Sequence, residues 1–228
     1  MLFVEDFGRR TRIGGTAMTS IMGVNKYQSR DQVLGYYARA DPGPKDYYKM
    51  EWGRRLEDPV AIAYAEKNDC RLMDPAQEVA DGLLPGPVVV HPDYDFLAGT
   101  PDRFVYADKR YRYRTEHRNG NKIMRITGGL SHGLEVKTSN AFKEKYILNK
   151  LDDTWIIQGQ YYMLLTGLDR WDFAVLCGGQ VYCDPTHFKD ETVDWPSYSL
   201  KADPFLHAEM IDKAIEFWEE VKNVRKKK

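Results

Sequence analysis

The sequence predicts an α/β fold: one domain with a central mixed β-sheet flanked by helices. Three observations carry this prediction. Helical patterns fill the first third of the chain, and strand patterns dominate from Val88 onward. The segment Leu134-Glu135-Val136-Lys137-Thr138 alternates apolar and polar residues, the period of a half-buried strand. Trp155 to Leu165 is apolar around most of its circumference, as a buried helix is. Helices, then strands, one central helix, a hairpin and a closing helix do not make the regular alternation of a doubly wound sheet.

Taken in order, Ile13 to Tyr37 reads as a Gly-rich turn followed by a helix, with Gly14-Gly15 breaking the chain and Thr16 as N-cap. Asp41-Pro42-Gly43-Pro44 is a loop. Met50 to Lys67 is helical, and Pro59 is expected to start, kink or break a helix there. The Gly/Pro-rich run Asp81 to Pro87 closes this region, and Val88-Val89-Val90 is a short strand. Phe104-Val105-Tyr106 is another strand, followed by a basic and aromatic stretch and a hairpin turn at Asn119-Gly120. Asp172 to Cys177 and Gln180 to Cys183 flank a second hairpin signal, Gly178-Gly179. Met210, Ile211, Ala214, Ile215, Trp218 and Val221 form the apolar stripe of a closing helix over 205–222, and residues 225–228 read as a solvated basic tail.

Composition narrows the function classes. The 228 residues are 43% hydrophobic and 29% charged, which excludes wholesale disorder. A net charge of −1 advertises no global field for nucleic acid, so any such partner must be held by a local patch. Three cysteines fit a reducing compartment and are too few for a four-Cys zinc or iron–sulfur site. No run of about 18 apolar residues predicts a membrane span, and the first residues lack the pattern of a secretory signal. These features lead to the expectation of a cytoplasmic protein with no membrane partner.

The chemistry is carried by Asp102 and by Glu135-Val136-Lys137, 33 residues further on. On a strand, Glu135 and Lys137 share one face while Leu134 and Val136 face the other. A carboxylate and an ammonium then project side by side, and a hairpin turn between them can bring Asp102 alongside. Two carboxylates and a lysine at a sheet edge suit metal-assisted phosphodiester hydrolysis. Carboxylate oxygens hold Mg²⁺ or Mn²⁺, the ion polarises the phosphoryl group, and the lysine orients the attacking water or offsets developing charge. Glu57 is a candidate third carboxylate. Gln158-Gly159-Gln160-Tyr161-Tyr162 places glutamines in an otherwise apolar helix, where burial requires partners for them.

The sequence resembles the YqaJ-type viral recombinases, the lambda-exonuclease-like branch of the PD-(D/E)xK nucleases. The resemblance lies in Gly14-Gly15-Thr16-Ala17 through Ile21-Met22-Gly23, in Gly53 to Pro59, in Gly99-Thr100-Pro101-Asp102 with Leu134-Glu135-Val136-Lys137, and in Gln158 to Met163. These motifs span residues 9–177 of a single nuclease domain, 1–228, on a restriction-endonuclease-like core.

The resemblance implies a Mg²⁺-dependent 5′→3′ double-strand DNA exonuclease that leaves 3′ overhangs for strand annealing, with Mn²⁺ as a substitute and two metals at the site. It implies Asp102, Glu135 and the carbonyl of Val136 as metal ligands, Lys137 as the catalytic lysine, Glu57 as support for a second metal, and Gln160 near the nucleophile or lysine. An N-terminal phosphate site is implied as well. Its hydroxyl would come from Thr16, with Ser20 as the alternative, and its arginine from Arg9, Arg10 or Arg12, of which Arg9 has the best spacing. A toroidal homotrimer around DNA ends, a single-strand annealing partner and a bacterial host cytoplasm complete the implied picture.

One segment departs from the family pattern. Residues 103–125 hold eight Lys or Arg against Asp108 and Glu116, a charge of +6. Alternation puts Arg110, Arg112 and Arg114 on one strand face and Tyr111 and Tyr113 on the other. The arginine face is a candidate for phosphate contact, or a solvated hairpin edge kept from aggregating by its charge. Two other functions suit the same residues: a structure-specific or restriction-type endonuclease, and a catalytically silent DNA-binding module, against which the intact Asp102, Glu135 and Lys137 speak. The CRISPR-adaptation nucleases share the core but carry a four-Cys cluster, which this chain lacks.

Overall fold

The computed structural model describes residues 1–5, 10–39, 47–108, 110–118, 121–139, 151–177, 180–182 and 198–227. Its strands are β1 (Leu2–Val4), β2 (Leu72–Met73), β3 (Val88–Val90), β4 (Ala98–Gly99), β5 (Arg103–Tyr106), β6 (Arg112–Arg118), β7 (Asn121–Gly128), β8 (Leu130–Ser139), β9 (Arg170–Cys177), β10 (Gln180–Tyr182) and β11 (Ser199–Lys201). Its helices are α1 (Gly15–Ile21), α2 (Arg30–Leu34), α3 (Tyr47–Lys67), α4 (Pro75–Ala80), α5 (Asp153–Thr166) and α6 (Pro204–Lys226).

The expected α/β architecture is present, with the strands divided between two sheets. One is antiparallel throughout, in the order β4-β3-β1-β7-β6. The other is mixed, in the order β10-β9-β8-β5-β2, with β11 also on β9. Its centre is the parallel pair β8 and β9, which is joined through α5; the remaining pairings are antiparallel. A parallel pair needs a crossover, and a helix is the usual one.

β8 behaves as its alternation demands. Leu134 and Val136 join Val60, Ala61 and Tyr64 of α3 and Ala174 of β9 in one buried cluster. Glu135 and Lys137 face the other way, toward α5. The larger core cluster lies around α5, where Tyr161, Tyr162, Met163 and Leu165 pack with Phe104, Trp171 and Phe173 from the mixed sheet and Phe217 from α6.

Several local expectations change. The helix expected within residues 13–37 is divided into α1, α2 and a π-helical turn at Gly35–Arg39. Gly23, at φ +79°, takes a left-handed backbone just past α1, and a capping box between Ser29 and Gln32 starts α2. Gly14, not Thr16, is the N-cap of α1. α3 runs through Pro59 without a break. The closing helix continues to Lys226, so Arg225 is not part of a frayed tail. Its guanidinium donates to the carbonyls of Arg10 at 2.8 Å and Tyr37 at 3.0 Å. The turns expected at 41–44, 119–120 and 178–179, and Cys183, lie outside the described residues. β6 with β7, and β9 with β10, nonetheless pair as two hairpins.

Candidate functional site

The site forms where β5 ends against β8. The antiparallel ladder opens with Arg103 opposite Leu134, so Asp102 stands just beyond it. Its carboxylate extends the ladder by side chain: Oδ2 accepts the Val136 N–H at 2.8 Å.

Glu135 is 2% exposed. Its Oε1 accepts from Lys137 Nζ at 2.6 Å and from Gln158 Nε2 at 2.7 Å, and Lys137 Nζ also donates to Gln158 Oε1 at 2.9 Å. The three side chains form a closed triangle. The other oxygen, Oε2, is buried without a hydrogen-bond partner.

Two glycines of the sequence motifs meet at Tyr162. A Cβ on Gly15 would stand 3.2 Å from the Tyr162 hydroxyl and 3.3 Å from Gln158 Cγ; one on Gly99 would stand 2.6 Å from Tyr162 Cε1. The Tyr162 hydroxyl accepts from Gln158 Nε2 at 3.1 Å. The N-terminal Gly-Gly turn therefore approaches the carboxylates through the face of α5 that carries Gln158 and Tyr162.

The electrostatics are those of crowded, desolvated carboxylates. Burial, followed by the charge of Glu135, pushes Asp102 up to about 7, against the pull of Lys137, the Val136 N–H and Arg103. Glu135 is raised by burial and by Glu57, although Lys137 opposes this. Glu57 is raised by burial and by Asp102. Burial raises the Tyr162 hydroxyl well above its ordinary range, with Glu135 and Asp102 adding to the effect. Glu57 thus lies within electrostatic reach of both other carboxylates, and its Oε1 accepts from Arg103 Nη1 at 2.7 Å.

This donor set suits a hard divalent cation: clustered, desolvated carboxylates, one of them with a buried oxygen that has no hydrogen-bond partner. Among the described residues, no three His, Cys, Asp or Glu side chains are gathered closely enough to cage an ion by themselves. A backbone carbonyl, water or substrate oxygen would have to complete the shell.

The other expected site residues fall in different places. Gln160 lies two residues from Gln158, on the opposite side of α5. Its Nε2 donates to the Lys201 carbonyl at 2.8 Å, and its Oε1 accepts the Asp203 N–H at 3.0 Å and lies 2.9 Å from His207 Nε2. It ties α5 to β11 and α6, so the expected neighbour of Lys137 is corrected to Gln158. Arg9 lies outside the described residues. The Arg12 carbonyl accepts from the Tyr37 hydroxyl at 2.9 Å. Thr16 is exposed, whereas Ser20 is buried with an unpartnered hydroxyl.

Arg110 precedes β6. Arg112 pairs with Asp108 at 3.2 Å, and exposed Arg114 stands opposite Arg125, which Glu116 holds at 2.7 Å. These residues belong to the antiparallel sheet, not to the sheet of Glu135. Sequence reasoning missed the site roles of Tyr162 and Arg103. Helical spacing held the signal for Tyr162, one turn beyond Gln158.

The family model for the YqaJ-like viral recombinase domain matches residues 8–169. The fold is similar to the crystal structure of an alkaline exonuclease, LHK-Exo, from Laribacter hongkongensis, with a TM-score of 0.65 at 16% identity over 96% of this chain and 91% of that one. The structure of the same exonuclease in complex with dAMP gives a TM-score of 0.65 at 16% identity, over 95% of this chain and 91% of that one. No curated protein matches the sequence.

Proposed function

This chain belongs to the YqaJ-like viral recombinase domain family, and on that footing we propose that it is a metal-dependent deoxyribonuclease that degrades one strand of duplex DNA from its 5′ end. The observation that carries the reading is the buried, unpartnered Oε2 of Glu135 beside Asp102, with Lys137 fixed at the same carboxylate.

Asp102, Glu135 and the Val136 carbonyl would hold a Mg²⁺ or Mn²⁺ ion, and Glu57 would support a second. Such ions supply Lewis-acid polarisation of the scissile phosphate and stabilise the leaving oxygen. Gln158 holds the Lys137 ammonium against Glu135, which sets its direction before substrate arrives. Lys137 then orients the attacking water and offsets charge developing on phosphorus.

Arg9, Arg10 or Arg12, of which Arg9 has the best spacing, would grip a terminal 5′-phosphate together with Thr16 or Ser20. Arg110, Arg112 and Arg114 would contact duplex phosphates. Family membership also supports a ring-shaped homotrimer on DNA ends, a single-strand annealing partner and work in the cytoplasm. Among the described residues, no helix is long and apolar enough to cross a membrane.

The test is digestion of 5′-labelled linear duplex, with Mg²⁺ and with a chelator, alongside a closed circle. Mg²⁺-dependent release of label as mononucleotide, faster from 5′-phosphate than from 5′-hydroxyl ends, is expected, with the circle left intact. Cutting of the circle would transfer the site to the endonuclease reading. Full activity in chelator would remove the metal.

A further inference from the structure

We propose that Arg103 is the positioning residue of the carboxylate site: one guanidinium presents Glu57 to the cation and fixes the Asp102 turn. The inference rests on the reading of Asp102, Glu135 and Glu57 as cation ligands.

Arg103 is the first residue of β5. By sequence it belongs with the basic segment 103–125, but its side chain is 8% exposed. Nη1 donates to Glu57 Oε1 at 2.7 Å and to the carbonyl of Asp102 at 2.5 Å. Nη2 pairs with Asp58 of α3 and lies 3.2 Å from Oδ2 of Asp74, the N-cap of α4. One cation therefore faces three carboxylates, so neutralisation alone does not explain the arrangement.

The guanidinium is planar and rigid. Asp58 and Asp74 hold one prong, and this sets where the other prong stands. That second prong meets both a ligand side chain and the backbone of a ligand residue. Glu57 is 29% exposed, on a helix across from Asp102, and a flexible glutamate there would sample many rotamers. A lysine ammonium is a point charge on a flexible stem and cannot grip Glu57, the Asp102 carbonyl and the two aspartates together.

The experiment is calorimetric titration of the full-length protein with Mn²⁺ alone, using Glu57→Gln, Arg103→Lys, the double variant and Asp58→Asn, with thermal melts as a check on folding. Loss of a partner that orients a ligand lowers metal affinity by about 10- to 100-fold. A loss in that range is expected for Arg103→Lys, similar to that of Glu57→Gln, with no further loss in the double variant. Equal Mn²⁺ affinity in Arg103→Lys and wild type, with Glu57→Gln weakened, would overturn the proposal and leave the ligand reading standing. Wild-type affinity in Glu57→Gln would overturn both. Additive losses in the double variant would mean that Arg103 acts on the fold rather than through Glu57. If Arg103→Lys does not fold, Asp58→Asn loosens the same prong from a 74% exposed side chain. A smaller loss in the same direction is then expected, and unchanged affinity would overturn the proposal.

Discussion

Two buried polar clusters sit on the β8–β9 pair, and they are resolved in opposite ways. Asp172 on β9 is 4% exposed. It accepts from the Tyr64 hydroxyl at 2.7 Å and from Arg170 at 2.8 and 2.5 Å, and it lies 3.3 Å from His132 Nε2. Burial pushes its carboxyl up, yet hydrogen bonds from His132, Arg170, Ser199 and Tyr64 hold it well below the usual carboxylate range. Asp102 and Glu135 are raised instead, and an oxygen of Glu135 has no partner. Equal burial therefore does not mean equal purpose. The Asp172 cluster is fully hydrogen-bonded as it stands, whereas the Asp102 cluster leaves Glu135 Oε2 without a partner, where the proposed cation would bind.

The largest expected effect separates chemistry from ligand binding inside the incomplete cluster. Lys137→Ala should lower cleavage by about 100- to 1000-fold, or about 2.7–4 kcal/mol of barrier, while Mn²⁺ affinity and the fold persist. Single-turnover rates near wild type would end the catalytic assignment.

Next, the two clusters should respond with opposite signs. Asp172→Asn should destabilise the protein by about 1.5–3 kcal/mol and leave Mn²⁺ affinity unchanged. Glu135→Gln should weaken Mn²⁺ binding while the metal-free protein melts at the same or a higher temperature, because the burial of this carboxylate, with Oε2 unpartnered, outweighs its pairing with Lys137. Destabilisation by both, measured by denaturant titration in chelator, would erase the distinction.

The smallest effect is in pH. A carboxyl with a higher pKa folded than unfolded stabilises the fold below its unfolded pKa, and that contribution is lost as pH rises through the folded value. For Asp102 the window runs from 3.8 to about 7. Melting temperature in chelator should therefore fall between about pH 4 and about pH 7, and Mn²⁺ should restore it. Asp172 has the opposite sign: its contribution is present above the ordinary carboxylate range and is lost only in strong acid. A flat profile in chelator over that window would show that the carboxylates are already compensated.

Local pattern was enough to find Asp102, Glu135 and Lys137, because strand alternation and a Pro-Asp turn are properties of a few adjacent residues. It did not choose between Gln158 and Gln160. Helix geometry says only that the two face apart, and the partners of Gln160 lie at Lys201, Asp203 and His207, about 40 residues downstream. In local pattern Arg103 is one more charge in a basic segment, since the acids that bury it come from two earlier helical segments. The division into two sheets was equally hidden, because the three-residue β1 owes its place to residues more than 80 positions away.

That placement of β1 has a bearing on the order of assembly during synthesis. β1 leaves the ribosome well before either of its neighbours, yet it is the middle strand of its sheet, with Leu2 to Val4 buried between β3 and β7. Its backbone must wait for Val88–Val90 on one side and Ile123–Arg125 on the other. The neighbouring Arg10 carbonyl waits longer still, for a bond from Arg225, 215 residues later. Contacts this distant form slowly, and an apolar strand left unpaired is open to wrong partners in the interval. The N-terminal arginine segment thus reaches its final setting only when the last helix docks, so a chain stalled before α6 would carry its carboxylate cluster without that segment secured.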